Sequence, residues 1–212
     1  MNYAQFKNRV LNLPLILSKD ILSFEKNRQA LLNQLKRWQD RQLIIKLKKG
    51  VYILNQNDRK INPSRQFIAN QLYAPSYVSL EYALGFYGII PERVIEVTCV
   101  ATKKTARFLN KSGTFTYQHI KPAAFRGFKT LKDENGLTYF IAEPEKAVVD
   151  FLYLNLDKFK RDDKDIFEGS YRFQNAETLN KKRIIELAGC FNNRKLSKIA
   201  SLFCEFIERQ KR

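Results

Sequence analysis

A mixed α/β (α+β) fold is what the sequence predicts, with a small N-terminal module over residues 1–57 and a larger domain over residues 62–212. Three observations carry this. Helical periodicity fills residues 3–42 and gives way to β-prone runs on either side of Lys49-Gly50. From residue 62 onward, short strand-like runs alternate with helical ones, and two helices form the tail. At 212 residues and 44% hydrophobic side chains the chain can bury two cores, and the polar stretch Asn55 to Ile61 (NQNDRKI) reads as the linker between them.

Taken in order, residues 3–11 form a short helix with Phe6, Val10 and Leu11 on one side, and Pro14 interrupts it. Leu15 to Leu17 are an apolar link. Ser18 stands as the N-cap of a second helix, Lys19 to Phe24, with Ile21, Leu22 and Phe24 on its apolar side. Between Glu25 and Gln42 there is no Gly or Pro, and Leu31, Leu35 and Trp38 recur at helical spacing. On the opposite arc lie Lys26, Gln29, Asn33, Lys36, Arg37 and Asp40, with Arg28 nearer the core edge. Leu43 to Leu54 then reads as a hairpin turning at Lys49-Gly50 and bearing Lys46, Lys48 and Lys49.

Three helices followed at once by a lysine-bearing hairpin is the element order of a winged helix-turn-helix. The charge agrees with that reading. The net charge is +17, and residues 1–61 carry 13 Lys/Arg against 4 Asp/Glu, the denser share. Such a field attracts polyanions by releasing their condensed counterions, so double-stranded DNA is the expected partner. Gln29 and Asn33 are the candidates for adenine edges, and Arg37 for guanine or phosphate. Lys26, Lys36, Lys46, Lys48 and Lys49 are candidates for phosphates, and Arg28 is a weaker candidate in the same set. A solvated basic helix face, or a surface for an acidic protein partner, is the competing interpretation.

In the larger domain, Asn62-Pro63 marks a helix start with Phe67, Ile68 and Leu72 behind it. Tyr77-Val78 is a short strand, and Ser79 caps a helix running to Gly88, with Glu81 in its first turn. About four strands follow, at Val94 to Ala101, Thr114 to Ile120, Gly127 to Leu131 and Leu137 to Ala142. Pro144 opens a helix whose buried side is Ala147, Val148, Phe151 and Leu152, and two more helices follow Glu177.

The blocks KLKKGVYIL (46–54), SYVSLEYALGFYGII (76–90) and YFIAEPEKAVVDFLY (139–153) occur in an order that resembles the AbiEi family of antitoxins, predicted regulators of viral defence. The likeness runs from about residue 3 to residue 155, and no motif aligns beyond it. What the resemblance implies is an N-terminal winged helix that represses its own promoter, through inverted repeats, and a C-terminal antitoxin domain. It further implies a functional partner that is a nucleotidyltransferase-like toxin, without a stable complex between the two, as in type IV toxin–antitoxin systems.

Other chemistries have thinner support. The single histidine, His119, sits in a strand-like run, and there is no GxxxxGK[ST] or GxGxxG phosphate cradle. Glu143, Glu145 and Asp150 put three carboxylates within eight residues, as a metal-dependent nuclease would want. The plainer explanation is a helix N-terminus that favours acids, with Lys146 one turn before Asp150. The expectation is therefore a non-enzyme without metal or cofactor. Lys103, Lys104 and Arg107 read as the solvated end of a strand, with an auxiliary phosphate contact as the alternative. Cys99, Cys190 and Cys204 are widely spaced, which predicts free thiols. No segment has the roughly 18 apolar residues of a membrane span, and the N-terminus lacks a secretory pattern, so a cytosolic protein is expected.

Overall fold

The computed structural model describes residues 1–21, 27–159 and 166–210, and among them helices and strands alternate in a mixed α/β arrangement. The N-terminal part runs α1 (Tyr3–Val10), β1 (Ile16–Leu17), α2 (Ser18–Ile21), α3 (Arg28–Asp40), β2 (Ile44–Lys48) and β3 (Val51–Leu54). A capping box opens α1: the Gln5 N–H donates to the Asn2 side chain, and the Asn2 N–H to that of Gln5. Asn27 caps α3 by accepting from the Ala30 N–H at 3.0 Å. The strands form an antiparallel sheet in the order β1-β3-β2. Against one of its faces, through Ile44, Tyr52 and Leu54, pack Phe6, Leu31, Leu35 and Trp38, with Phe6 stacked on Trp38 at 4.5 Å between ring centres.

Local departures from the sequence expectation have simple causes. The apolar link at Leu15 to Leu17 contains β1, too short for periodicity to mark. Leu22, Phe24 and Lys26, assigned to the second helix and the start of the third, lie outside the described residues. Ser18 is the first residue of α2 rather than its cap, and its N–H donates to the Gly50 carbonyl at 2.8 Å. That contact seats the hairpin turn on α2. Gly50 has φ +80°, which favours glycine, and a Cβ there would also have to move the Ser18 Oγ, 2.9 Å away.

The larger part contains α4 (Arg65–Leu72), β4 (Ser76–Val78), α5 (Leu80–Phe86), β5 (Val97–Ala101), β6 (Ala106–Asn110), β7 (Gly113–His119), β8 (Phe128–Lys132), β9 (Thr138–Ala142), α6 (Pro144–Leu154), α7 (Lys181–Gly189) and α8 (Arg194–Gln210). Its six strands pair in the order β6-β7-β5-β4-β9-β8, parallel at β5/β7 and β4/β9 and antiparallel elsewhere. Tyr77 pairs with Val100 and Tyr117 with Cys99, so the two tyrosines point to opposite faces. Tyr117 reaches α4, donating to the Ala69 carbonyl at 2.6 Å, and Tyr77 reaches Asp150 of α6. Helices therefore cover both faces. The tail helices α7 and α8 extend the α6 side of the core through Ile184, Leu187, Leu196 and Phe203.

Two helix starts differ from expectation. The cap of α4 is Ser64, whose Oγ accepts from the Phe67 N–H, two residues after the predicted Asn62. Ser79 does hold the N-cap position of α5, but its hydroxyl donates to Asp150 at 2.8 Å instead of capping. Thr98 of β5 takes over the capping, accepting from the Tyr82 N–H at 3.1 Å. The sheet also holds a strand that the sequence pattern does not mark, β6, because at this sheet edge Leu109 faces solvent while Asn110 does not, so polar and apolar residues do not alternate with exposure.

Inside this part lies a buried polar cluster. The Lys146 ammonium sits 2.5 Å from the Asp150 carboxylate, both residues closed to solvent. Tyr77 and Ser79 donate to the other carboxylate oxygen, and the Phe191 ring centre lies 4.5 Å from the ammonium. Burial still pushes the Asp150 carboxyl above its ordinary range, against the pull of Lys146 and its hydrogen bonds.

The two parts meet on the hairpin. Side chains alternate along β3: Tyr52 and Leu54 join the N-terminal core, while Val51 and Ile53 join the larger core with Ile68 and Leu72. All four are buried, so β3 is an interior strand with a core on each face. The expected linker is not a free tether either. Asp58 accepts from the Tyr3 hydroxyl at 2.7 Å and from Lys7 at 3.0 Å, fastening the segment back to α1.

Candidate nucleic-acid interface

The apolar stripe of α3 fixes what its other side presents. With Leu31, Leu35 and Trp38 in the core, Arg28, Gln29, Asn33, Lys36 and Arg37 all stand exposed. Arg28 belongs to this exposed set despite its place near the core edge of the wheel. The Gln29 amide donates to the Asn33 amide oxygen at 3.1 Å, as i,i+4 spacing allows. Each amide keeps unused donor and acceptor capacity toward solvent. Two further residues extend the arc. Arg41, at the C-cap, follows Arg37 by four residues, and spacing alone could have found it. Leu32 is exposed between the basic side chains, which a search for polar residues passes over.

The hairpin lysines divide into two groups, for a reason the alternating pattern hides. A β-bulge shifts the register between Lys46, opposite Tyr52, and Lys48, opposite Val51. The extra residue turns Lys48 off the side it would otherwise share with Lys46. Lys46 and Lys49 remain exposed. Lys48 instead lies over the Phe108 ring of β6 and donates to the Leu72 carbonyl at the end of α4. Burial, and then the neighbouring charge of Lys103, lower its pKa. The sequence pairs Lys48 with Lys49 as phosphate ligands; in the structure its ammonium sits on a helix C-terminus, where a cation is favoured.

Lys103 has a similar task, donating to the Ala74 carbonyl at 2.6 Å and lying over the Tyr73 ring. Arg107, on β6, faces Glu96 at 3.6 Å, and Lys104 is exposed. Two of these three therefore have partners of their own. The carboxylates at the start of α6 also diverge. Glu143 takes two hydrogen bonds from the Arg183 guanidinium at 2.9 and 3.2 Å, Glu145 accepts from the Asn180 N–H, and Asp150 points inward to Lys146. Glu143 and Glu145 tie α7 to α6 while Asp150 turns into the core, and no group of three potential metal ligands converges among the described residues. His119 is exposed, with Nδ1 3.1 Å from the Lys103 carbonyl oxygen. The three thiols are free, and burial pushes that of Cys99 up. No helix among the described residues is long and apolar enough to cross a membrane.

Neither a family model nor a curated protein matches the chain. The likeness to AbiEi antitoxins therefore rests on its three sequence blocks alone. In the structure those blocks are the hairpin β2–β3, the run from β4 through α5, and the run from β9 through α6. They meet in space: β4 pairs with β9, Tyr77 and Ser79 bond Asp150, and Val51 and Ile53 join the same core.

Proposed function

We propose that the chain is a DNA-binding transcriptional regulator whose N-terminal module is a winged helix-turn-helix. One observation carries the proposal: the order α1-β1-α2-α3-β2-β3, with the sheet ordered β1-β3-β2, backs an α3 whose outward face is amide and cationic. Asp40 is the one acid on that helix. In this reading α3 enters the major groove, Gln29 and Asn33 exchange their mutual bond for adenine edges, and Arg37 meets guanine or phosphate. Arg28, Lys36, Lys46 and Lys49 neutralise backbone phosphates. The hairpin tip is tight against α2, so its contribution is Lys49 at the turn rather than a long projecting wing.

The biological setting we propose, an antitoxin that represses its own operon and counteracts a nucleotidyltransferase-like toxin, follows from the resemblance to AbiEi proteins. Footprinting on the DNA upstream of the gene, at two salt concentrations, tests the regulator reading. A discrete protected site that weakens steeply with salt and disappears on Gln29→Ala with Asn33→Ala is expected. Absence of protection, together with stoichiometric co-purification of an acidic protein, would replace the reading by a protein-interaction module.

A further inference from the structure

A cleft of about 470 Å³ opens where the base of the hairpin meets the larger part of the chain. Gln42, Asn55, Gln56, Arg59, Arg65 and Lys111 supply its polar lining, and no carboxylate is among the described residues that line it. The nearest acid in sequence, Asp58, is turned away and held by Tyr3 and Lys7.

The two arginines are in an unusual condition. Arg59 Nε, Arg65 Nε and Arg65 Nη2 are all shut off from solvent, and none has a hydrogen-bond partner. Buried guanidinium donors are normally paired, because desolvating them without an acceptor is costly. Burial lowers the Arg59 pKa, and no acid offsets it. Arg65 is nevertheless held in place. Its guanidinium packs against Gly113, where a Cβ would come within 2.6 Å of Nη2, and it lies 5.9 Å from the Phe115 ring centre. That edge, Nε and Nη2, is the one turned to Gly113, so Arg65 lends the cleft its charge rather than a free pair of donors.

We propose that this cleft binds the phosphate group of a free, nucleotide-sized small molecule. Arg59 and Lys111 take the phosphate oxygens, the fixed charge of Arg65 stands behind them, and Gln42, Asn55 and Gln56 face the remainder of the ligand. The dimensions fit: small-molecule sites run to about 300–1,000 Å³. Position separates this site from the proposed DNA surface. Gln42 lies two residues beyond the end of α3, and Asn55 and Gln56 directly follow β3, so the cleft lies at the hairpin base, at the other end of the strands from the Lys49-Gly50 tip. A ligand there touches the N-terminal part through Gln42 and the larger part through Arg65 and Lys111.

The test is calorimetric titration of the full chain with pyrophosphate and with inorganic phosphate, repeated for Arg59→Gln, Arg65→Gln, Lys111→Gln and Lys104→Gln. Saturable one-to-one binding of pyrophosphate is expected, weakened roughly tenfold or more by Arg59→Gln or Lys111→Gln, as for removal of a charge-assisted hydrogen bond. Lys104→Gln, exposed and outside the cleft, should bind as the parent does. Melting temperatures identify any variant that fails to fold, and Arg59→Gln and Lys111→Gln, which leave the packing against Gly113 intact, then decide the matter. Absence of saturation, or an equal weakening in Lys104→Gln, overturns the proposal. So does a result in which the arginine variants lose duplex DNA affinity while pyrophosphate does not bind, which would assign these arginines to the DNA backbone.

Discussion

Lys146 and Asp150 form an ion pair at 2.5 Å in the interior of the larger core, with neither side chain reaching solvent. The pair spans one helical turn, and its second carboxylate oxygen is shared by Tyr77 of β4 and Ser79 at the start of α5. One carboxylate thus fixes the relation of a strand and two helices. A buried pair gains little over a well-packed apolar replacement, but removing one partner strands the other.

Lys146→Met or Asp150→Ala alone is therefore expected to cost about 3–5 kcal/mol of folding stability. The double variant Lys146→Met with Asp150→Leu should recover part of that loss. Urea denaturation of the three variants checks this. Equal losses in single and double variants would mean that the hydrogen bonds from Tyr77 and Ser79, and not the charges, carry the contribution.

The hairpin lysines give a prediction that separates binding from architecture. Lys46 and Lys49 are exposed, whereas Lys48 caps α4. On the DNA-binding reading, Lys46→Ala with Lys49→Ala should weaken binding to all duplexes and reduce the slope of log K against log salt by about 0.9 for each phosphate no longer neutralised. Lys48→Met should leave that slope unchanged and lower the melting temperature instead. Fluorescence anisotropy at four salt concentrations measures the first effect and thermal melting the second. A slope change on Lys48→Met would return that lysine to the interface.

How far the sequence announces all this depends on which physical signal each element leaves. Helix α3 is legible because Leu31, Leu35 and Trp38 repeat at helical spacing, and the hairpin because Lys49-Gly50 divides two β-prone runs. The inward turn of Lys48 is not legible, because a bulge changes register without changing composition. Ser79 looks like a cap by residue type, yet the demand of a buried carboxylate from α6, distant in sequence, outweighs the local role. Arg59 and Arg65 resemble ordinary surface arginines, and only the folded packing, with Gly113 against Arg65, shuts three of their nitrogens off from solvent. Polar spacing suggests a linker at Asn55 to Ile61, while the fixing of Asp58 by Tyr3 depends on the return of the chain to α1.

Asp58 supplies a pH dependence. The hydrogen bond from Tyr3, and then that from Lys7, hold its carboxyl below the ordinary carboxylate value despite some desolvation. A carboxyl whose folded pKa is depressed contributes stability that is fully present above its unfolded value of about 3.9 and is lost as pH falls through the folded value. Asp58→Asn should lower stability at neutral pH and flatten the part of the acid-unfolding profile below about pH 4. Denaturant midpoints at a series of pH values test this; a variant with the same acid slope as the parent would show that Asp58 is not linked to folding.

The doubly buried hairpin leads to the last prediction. Leu47, Val51 and Ile53 are at most 5% exposed in the whole chain, yet their partners Ile68 and Leu72 lie beyond the N-terminal module. A fragment ending at residue 61 would present that face of its sheet to water, and a contiguous apolar patch of this kind drives self-association. The fragment should therefore be less stable than the same residues in the full chain, bind a hydrophobic dye, and associate with rising concentration. In the full chain, Ile53→Ala removes a side chain that couples the two cores and should cost about 2–5 kcal/mol. Because β3 serves both cores, the substitution should lower a single melting transition rather than split it. Two separated transitions, with the N-terminal one unmoved by Ile53→Ala, would show that each core holds without the other.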